Sequence, residues 1–318
     1  MNFFKQRNPW VLVLVFLGIG AAGSYALLAA PNNFSSGTIV RIQYGTSVPE
    51  IAKELADAHV IAHPTLFRLF LRLAGTSNDI QTGVYKFKNP PNLFQVVFRL
   101  ATGDFGLPAV RLTFIEGATV REDALQIAQA LPDISAKNFL TLAAGQEGYL
   151  FPDTYFFQSS ADVPSIIALM RSNFDAKIAL LTPDIATSKH SLSDIVIMAS
   201  LIEKEARTSA DRRMVSGILW NRIARSMPLQ VDAVFGYIYN RETYAPSFTD
   251  LKVDSPYNTY LHIGLPPGPI DNPGLDSLEA AVHPTPTHYL YYLTDKNGDM
   301  HYATTYAEHQ ANLRTYLR

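Results

Sequence analysis

A long uncharged segment near the start of the chain sets the first limit on the architecture of the protein. Between Pro9 and Ala30 every residue is apolar or small, and no acidic or basic residue follows until Arg41. About 20 such residues span a bilayer as a helix, so this segment is predicted to be a transmembrane helix. Lys5 and Arg7 are the only charged side chains before it. The positive-inside rule therefore places residues 1–8 in the cytoplasm and the rest of the chain outside.

A cleaved signal peptide is the alternative, because Leu28–Ala30 resembles a small-residue cleavage site. The apolar core of a signal peptide is usually shorter, about 7–15 residues, which favours a retained anchor. The sequence thus predicts a single-pass protein of the cytoplasmic (inner) membrane. Its body is predicted to be extracytoplasmic, or periplasmic where there is an outer membrane.

The composition is that of a folded, exported body. The chain is 47% hydrophobic and 17% charged, and it is long enough beyond the anchor for one large or two moderate domains. Cysteine is absent, which excludes disulfides, thiolate metal ligands and thiol nucleophiles. The formal net charge of -2 provides no basic field for nucleic acid, so no nucleic-acid partner is expected.

Beyond the anchor, alternating short strands and helices predict an α+β fold in two parts. Residues 31–37 have the turn-forming, polar composition of a linker. Residues 38–105 are predicted to form a small α+β module, and residues 106–318 a larger mixed α+β domain. A strand at 38–44 is followed by a helix that Ser47 and the acid three residues later open as a capping box.

The later part of the chain contains two aromatic or proline-rich stretches and one predicted hairpin. Residues 147–155 mix aromatic rings with two acids around a proline, which predicts a surface loop that holds a ligand. Residues 264–273 are too rich in proline and glycine for a regular element. Residues 289–304 predict a β-hairpin over a Lys-Asn-Gly turn, and 306–317 a final helix.

Glu205 is the strongest candidate for chemistry, because helical spacing places it on an apolar face. At 100° per residue, Met198, Leu201 and Ile202 lie on its side of the predicted helix, whereas Glu203 points roughly the opposite way. One acid is therefore expected to be solvated and the other half-buried. Burial raises the pKa of a carboxyl and lets it act as a general acid. A structural salt bridge with a basic residue is the alternative.

Several common chemistries are excluded by their missing motifs. The sequence has no Gly-x-Ser-x-Gly elbow, Walker loop, dinucleotide fingerprint or His-Glu-x-x-His pair. The late histidines have no helical zinc spacing. Carboxylate chemistry without a metal or a cofactor is therefore expected.

Seven motifs across residues 110–318 carry a family resemblance. In chain order they are Glu147–Thr154, Met198–Glu205, Asn221–Arg222, Leu229–Asp232, Pro256–Tyr260, Gly264–Ile270 and Ala281–Pro284. Together they resemble the signature set of the endolytic murein transglycosylases, the membrane-anchored terminases of peptidoglycan synthesis. The anchor and the small module also resemble that family's layout, in which the module is described as LysM-like.

The resemblance implies cleavage of the β-1,4 bond between N-acetylmuramic acid and N-acetylglucosamine inside nascent glycan strands, which leaves 1,6-anhydromuramic ends and terminates strand elongation. It implies glycan strands as substrate, the inner membrane as location, and peptidoglycan synthases or the elongation or division machinery as partners. By resemblance, the second Glu of the Glu-Lys-Glu motif, Glu205, is catalytic. The substrate-holding candidates are Gln230, Asp232, Tyr257 and Asn258, followed by Asn221, Glu147 and Asp153.

Two other functions remain open from the sequence. The first is a muramidase-type hydrolase, with Glu205 as acid and Asp153, Asp232 or Asp254 as base or nucleophile. The second is a non-catalytic scaffold that binds the cell wall. A buried acid argues against the scaffold, because pure binding gains little from a carboxyl that costs free energy to desolvate.

Overall fold

The fold of the protein is mixed α+β, as predicted. The structure is a computed structural model that describes residues 28–43, 45–76, 80–159, 161–241 and 245–317. Most of the predicted transmembrane helix, up to residue 27, lies outside these ranges. Among the residues that the structure does describe, no helix is both long enough and apolar enough to cross a bilayer.

The chain forms two compact units. The first contains the described residues up to Val110 and the short segment 157–161, and the second contains residues 111–156 and those from Asp162 onward. The domain bounds inferred from the sequence remain predictions.

The first unit is a two-stranded sheet covered by three helices. Its elements in chain order are β1 (Thr38–Ile42), α1 (Val48–Asp57), α2 (Pro64–Ala74), β2 (Gly83–Phe87) and α3 (Leu93–Thr102). The strands are antiparallel, with Thr38 opposite Phe87. The predicted capping box at the start of α1 is confirmed, since the Glu50 carboxylate accepts the Ser47 N–H at 2.9 Å. Apolar side chains from all five elements fill a core of their own.

From Ala109 onward the chain forms mostly helices. The elements are β3 (Ala109–Thr113), α4 (Val120–Ala130), α5 (Ala136–Leu142), β4 (Thr154–Gln158), α6 (Val163–Thr187), α7 (Leu192–Glu205), α8 (Ser209–Ala224), α9 (Val234–Tyr239), a 3-10 turn (Asp250–Lys252), α10 (Leu275–Val282), β5 (Tyr291–Thr294), β6 (Met300–Ala303) and α11 (Tyr306–Tyr316). β3 pairs with β4. The antiparallel pair β5–β6 confirms the predicted hairpin, and α11 confirms the final helix.

Helix α7 runs through the core of the second unit. A capping box starts it, in which the Ser191 hydroxyl accepts the N–H of Asp194 at 3.1 Å. Every residue from Ile195 to Ile202 is buried, because α8 and α10 pack against the helix. Each large apolar side chain buried in this way contributes about 1.5–3 kcal/mol. α7 is therefore a rigid support for Glu205, its last residue.

The segment 147–155 is not the surface loop that its composition predicted. Leu150 and Phe151 are buried, and the residues from Thr154 onward belong to β4. Aromatic and aliphatic side chains around a proline are as well suited to a core crossing as to a ligand loop, because burial of their apolar area is favourable in both.

The proline-rich loop, residues 264–273, is hydrogen-bonded to segment 147–155. As predicted, residues 264–273 form no helix or strand. The side-chain oxygen of Asn272 accepts the N–H groups of Gly148 at 2.9 Å and Leu150 at 3.3 Å. Gly148 has a φ of +83°, and a Cβ there would lie 2.5 Å from Cγ of Pro269, so only glycine fits. Segment 147–155 and the proline-rich loop 264–273 therefore pack closely against each other.

Candidate functional site

A cavity of about 1200 Å³ opens in the second unit. It lies between the start of α4, the loop after α5, the end of α7 and helix α9. This volume exceeds the usual range for a drug-sized ligand, so the cavity has room for an extended substrate. Its acidic lining residues are Glu122, Glu147, Glu205 and Asp232, and its basic ones are Arg121, Lys204 and Arg241.

Glu205 lies at the wall of this cavity, at the end of α7. The helix ends there because Ala206 adopts an extended conformation, with φ -138° and ψ 144°. The Glu205 carboxylate accepts a hydrogen bond from the hydroxyl of Tyr292 at 2.9 Å and another from the backbone N–H of Ala233. Protein surrounds the side chain, but it keeps partial exposure where it faces the cavity. A substrate in the cavity can therefore reach the acid.

Burial raises the pKa of Glu205 to about 7. The hydrogen bond from Tyr292 lowers it, the negative charge of Asp232 raises it, and the bond from Ala233 lowers it by less. Near neutral pH the carboxyl is thus present in both protonated and ionised forms. A group with these properties can give a proton and take one back in the same reaction.

Glu203 is not the solvated acid that helical spacing predicted. Its side chain is 5% exposed and accepts a hydrogen bond from Arg212 at 2.7 Å, and its other oxygen accepts the N–H of Gly274 at 2.9 Å. Arg212 also pairs with Asp276 at 2.7 Å. Glu203 is not solvated because a cation from α8, Arg212, covers the polar face of α7. The structural salt bridge weighed for Glu205 is made by Glu203 instead.

Asp232 lies beside Glu205 and lines the same cavity. Its carboxylate accepts the hydroxyl of Tyr260 at 2.5 Å. Gln230, two residues earlier, is exposed, adopts a φ of +54° and accepts a long hydrogen bond from Arg222 at 3.3 Å. Of these two candidates, the structure brings Asp232 next to the acid and leaves Gln230 off the cavity wall.

Glu147 lines the cavity beside the start of α4. Its carboxylate accepts the backbone N–H of Val120 at 2.8 Å. Burial raises the pKa of Glu147 to about 7, the bond from Val120 lowers it, and the charge of Glu122 raises it. The cavity therefore contains two carboxyls that hold a proton near neutral pH, Glu147 and Glu205.

Tyr257 forms an aromatic wall with Tyr237. Both line the cavity, and their ring centroids are 5.0 Å apart. The adjacent Asn258 is fully buried, and its amide donates to the carbonyls of Leu251 and Val253 at 3.1 and 2.9 Å. Asn258 thus braces the loop that presents Tyr257, and its side chain does not reach the cavity.

Asn221 and Asp153 lie away from the cavity lining. The Asn221 amide donates to the carbonyl of Thr287 at 2.8 Å. Asp153 is exposed, and its carboxylate accepts the N–H of Thr154 at 2.7 Å and the amide of Asn173 at 3.1 Å. Both side chains brace local structure.

The groups that hydrogen-bond to Glu205 were not predicted from the sequence. Tyr292 lies in the run of aromatic residues that predicted the hairpin, and nothing in that run distinguishes it from Tyr291. The Ala233 contact is a backbone N–H, which has no side-chain signature. Arg222 is buried and donates to the carbonyls of Leu290 at 2.7 Å and Leu229 at 2.6 Å, so it ties together the two segments that carry these groups.

A buried acid that can hold a proton near neutral pH, on the wall of a large cavity, defines the second unit as a candidate acid–base enzyme. Within the described parts of the chain, no group of three or more His, Asp or Glu side chains is arranged to hold a metal ion. The model of the YceG-like family matches residues 40–315. The chain belongs to this family.

Named relatives cover most of the chain. An endolytic murein transglycosylase of Bacillus subtilis is 32% identical, over 94% of this chain and 91% of the relative. One of Streptococcus pneumoniae is 27% identical, over 96% of this chain and 64% of the relative. A crystal structure of a YceG-like protein from Listeria monocytogenes matches with a TM-score of 0.60 and 31% identity, over 86% of this chain and 98% of that one.

Proposed function

We propose that this protein is an endolytic murein transglycosylase with Glu205 as its acid. The observation that carries the assignment is the state of Glu205: a buried carboxyl with a pKa of about 7, on a cavity wall, bonded to a hydroxyl and a backbone N–H. The relatives named as endolytic murein transglycosylases support the same reaction.

The substrate is a nascent peptidoglycan glycan strand, and the bond cleaved is the internal β-1,4 bond between N-acetylmuramic acid and N-acetylglucosamine. Protonated Glu205 gives its proton to the glycosidic oxygen as the bond from that oxygen to the anomeric carbon breaks. The resulting carboxylate accepts the proton of the C6 hydroxyl as O6 attacks the anomeric carbon. A 1,6-anhydro end forms, no water is consumed, and Glu205 ends the cycle protonated.

The remaining candidates divide into holding and bracing roles. Asp232, Tyr257 and Glu147 line the cavity and are proposed to hold sugar hydroxyl or amide groups. Gln230 is proposed to contact substrate beyond the cavity wall. Asn221, Asn258 and Asp153 are proposed to act through the loops that they brace.

A muramidase-type hydrolase is the second candidate, because Asp232 lines the same cavity as Glu205 and its charge acts on that acid. In a hydrolase a second carboxylate activates water or forms a covalent intermediate. Of the other acids considered for this role, neither Asp153 nor Asp254 belongs to the cavity lining.

Mass spectrometry of the released fragments tests the assignment. Purified full-length protein in detergent is incubated with uncrosslinked glycan strands. Products lighter by one water, absent with Glu205→Gln, are expected. Reducing ends that disappear with Asp232→Asn would establish the hydrolase. Binding without any product, unchanged in Glu205→Gln, would establish the scaffold.

The location and partners extend the proposal. Residues 9–30 are proposed to anchor the protein in the cytoplasmic membrane, with residues 1–8 in the cytoplasm and the enzyme outside. Residues 38–105 are proposed to be the LysM-like module, and residues 106–318 the catalytic domain. An enzyme held at the membrane acts where strands are made, so peptidoglycan synthases or the elongation or division machinery are its proposed partners.

A further inference from the structure

The first unit exposes an apolar surface built by two neighbouring helices. On α2, Leu69 and Leu73 are 48% and 72% exposed; on α3, Phe94 and Phe98 are 52% and 65% exposed. The rings of Phe70 and Phe94 are 4.7 Å apart, which joins the two helices into one continuous surface. These five side chains are called the apolar ridge below.

Four members of the ridge are exposed, and the fifth, Phe70, is partly buried against the core of the unit. The opposite faces of α2 and α3 already fill that core, with Phe67 and Leu71 from α2 and Val96 and Leu100 from α3. Contiguous exposed apolar surface usually marks contact with a protein, a ligand or a membrane. Every member of the ridge is Leu or Phe, so none of these side chains has a hydrogen-bonding group.

Positive charge accompanies the ridge. Arg68 and Arg72 are exposed on α2, and that helix contains no acidic residue. Residues 38–105 contain seven Lys and Arg against five Asp and Glu, whereas residues 106–318 contain 17 against 23. The unit that carries the ridge is therefore the one that an anionic surface attracts.

The position of the unit in the chain restricts what can cover the ridge. The predicted transmembrane helix ends at Ala30 and β1 begins at Thr38, so seven residues connect them. Fully extended, seven residues span about 25 Å, which is less than the thickness of a bilayer. The first unit is thus tethered at the membrane surface, a step that rests on the proposed anchor.

We propose that the apolar ridge lies in the interfacial layer of the membrane that holds the anchor, with Arg68 and Arg72 against anionic headgroups. Surface-bound helices combine the same two features, an apolar face in the headgroup boundary and basic side chains beside it. The module then has a fixed side toward the lipid and is not a freely rotating spacer.

Site-directed spin labelling tests the proposal, because the natural chain has no cysteine. The full-length Leu73→Cys and Phe98→Cys variants are nitroxide-labelled in phosphatidylglycerol–phosphatidylcholine vesicles, and collisions with oxygen and with a water-soluble nickel chelate are measured. Leu17→Cys reports on the anchor. Leu180→Cys, at an exposed position of α6, is the aqueous control. The oxygen-to-nickel ratio at both ridge positions is expected to exceed that at Leu180 several-fold.

The controls separate the possible failures. An aqueous label at Leu17→Cys would overturn the anchor. A bilayer signal there with aqueous labels at Leu73→Cys and Phe98→Cys would overturn the ridge proposal alone. Ridge labels shielded from both reagents, with spin–spin broadening, would overturn it in favour of contact between two copies.

The headgroup contact has a matched charge control. Arg68→Gln with Arg72→Gln should move the Leu73→Cys label toward water in phosphatidylglycerol vesicles. Arg41→Gln with Lys53→Gln removes the same charge from exposed positions on β1 and α1 and should not. Equal shifts in the two variants would overturn a specific role of Arg68 and Arg72.

Discussion

The two sides of the C-terminal end of α7 place chemically identical acids in opposite surroundings. On one side, the Glu203 carboxylate accepts hydrogen bonds from Arg212 at 2.7 Å and from the N–H of Gly274 at 2.9 Å. On the other side, the Glu205 carboxylate accepts hydrogen bonds from the Tyr292 hydroxyl and the backbone N–H of Ala233, and it faces the cavity. Only Lys204 separates them in sequence.

The protonation state of a buried carboxyl therefore depends on the partner beside it as well as on its burial. A cation beside a carboxylate favours the ionised form, and burial without a cation favours the protonated form. The ion pairs of Arg212 with Glu203 and Asp276 join α7, α8 and α10. Glu205 has no Lys, Arg or His within salt-bridge distance among the described residues, so burial leaves it partly protonated near neutral pH.

Glu205→Gln should reduce the rate of glycan cleavage more than any other change considered below. Loss of a general acid lowers the rate by about 10²–10⁴-fold. The amide has the shape of the carboxyl and still accepts from Tyr292, so the fold should persist. Release of anhydro ends measures the rate. Glu203→Gln is the matched control and should keep its activity per folded molecule; equal losses in the two variants would contradict the division of roles.

Glu203→Gln should instead lower stability. Breaking a buried ion pair costs about 3–5 kcal/mol, and the lower end applies because Asp276 still pairs with Arg212. Urea unfolding measures the change. The exposed pair Arg171–Asp175 supplies the control, since Asp175→Asn should cost less than about 1 kcal/mol. Similar costs for both variants would show that burial of the Glu203 pair is unimportant.

The pH dependence of stability should reveal the proton on Glu205. The pKa of Glu205 is raised in the folded protein. Its contribution to the free energy of unfolding is therefore fully present below about pH 4.5 and is lost as pH rises through about 7. Glu205→Gln removes this loss. Its unfolding free energy should exceed that of the natural protein by an amount that grows between these pH values to at most about 3 kcal/mol. A gap independent of pH would contradict the raised pKa.

A smaller effect, on the pH dependence of kcat, is expected from Tyr292→Phe. The hydroxyl bonds the ionised form of Glu205 and lowers its pKa, so its removal should move the alkaline limb of the kcat profile to higher pH. kcat at the optimum should fall by no more than about tenfold, the value of one hydrogen bond. Tyr302→Phe, which removes a hydroxyl bonded to Asp211 at 2.7 Å, should leave the limb in place.

The smallest shift of the alkaline limb is expected from Asp232→Asn, and it has the opposite sign. The charge of Asp232 raises the pKa of Glu205, so its loss should move the alkaline limb to lower pH. An Asn oxygen still accepts from Tyr260, which preserves the local geometry. If the limb moved in the same direction as in Tyr292→Phe, the electrostatic account of both variants would be wrong.

Local patterns predicted what local forces decide. The capping box of Ser47 and Glu50, the hairpin at 289–304 and the half-buried position of Glu205 follow from spacing within one turn or one helix. The 3.6-residue period places Glu205 among apolar neighbours regardless of what packs against them. The proline-rich loop was also recognisable, because proline and glycine exclude helix and strand whatever the tertiary context.

Contacts between distant residues could not be predicted. The period gave Glu203 a polar face, but it contains no information that Arg212 and Gly274 cover that face. The backbone of Gly148 and Leu150 is held by Asn272, which is far along the chain. Single-sequence patterns describe which faces are apolar, and they do not identify the element that meets each face.

The hydrogen bonds that complete the site also determine when it can form. Tyr292 follows Glu205 by 87 residues, and Asn272 follows Gly148 by 124. A chain made from its N-terminus contains the acid long before it contains the hydroxyl that holds it, and closing such long loops costs entropy that local helices do not. Most of the helical core can therefore assemble around an acid that still lacks its hydroxyl partner. The protein acquires a finished site only when its final hairpin has been synthesised and docked.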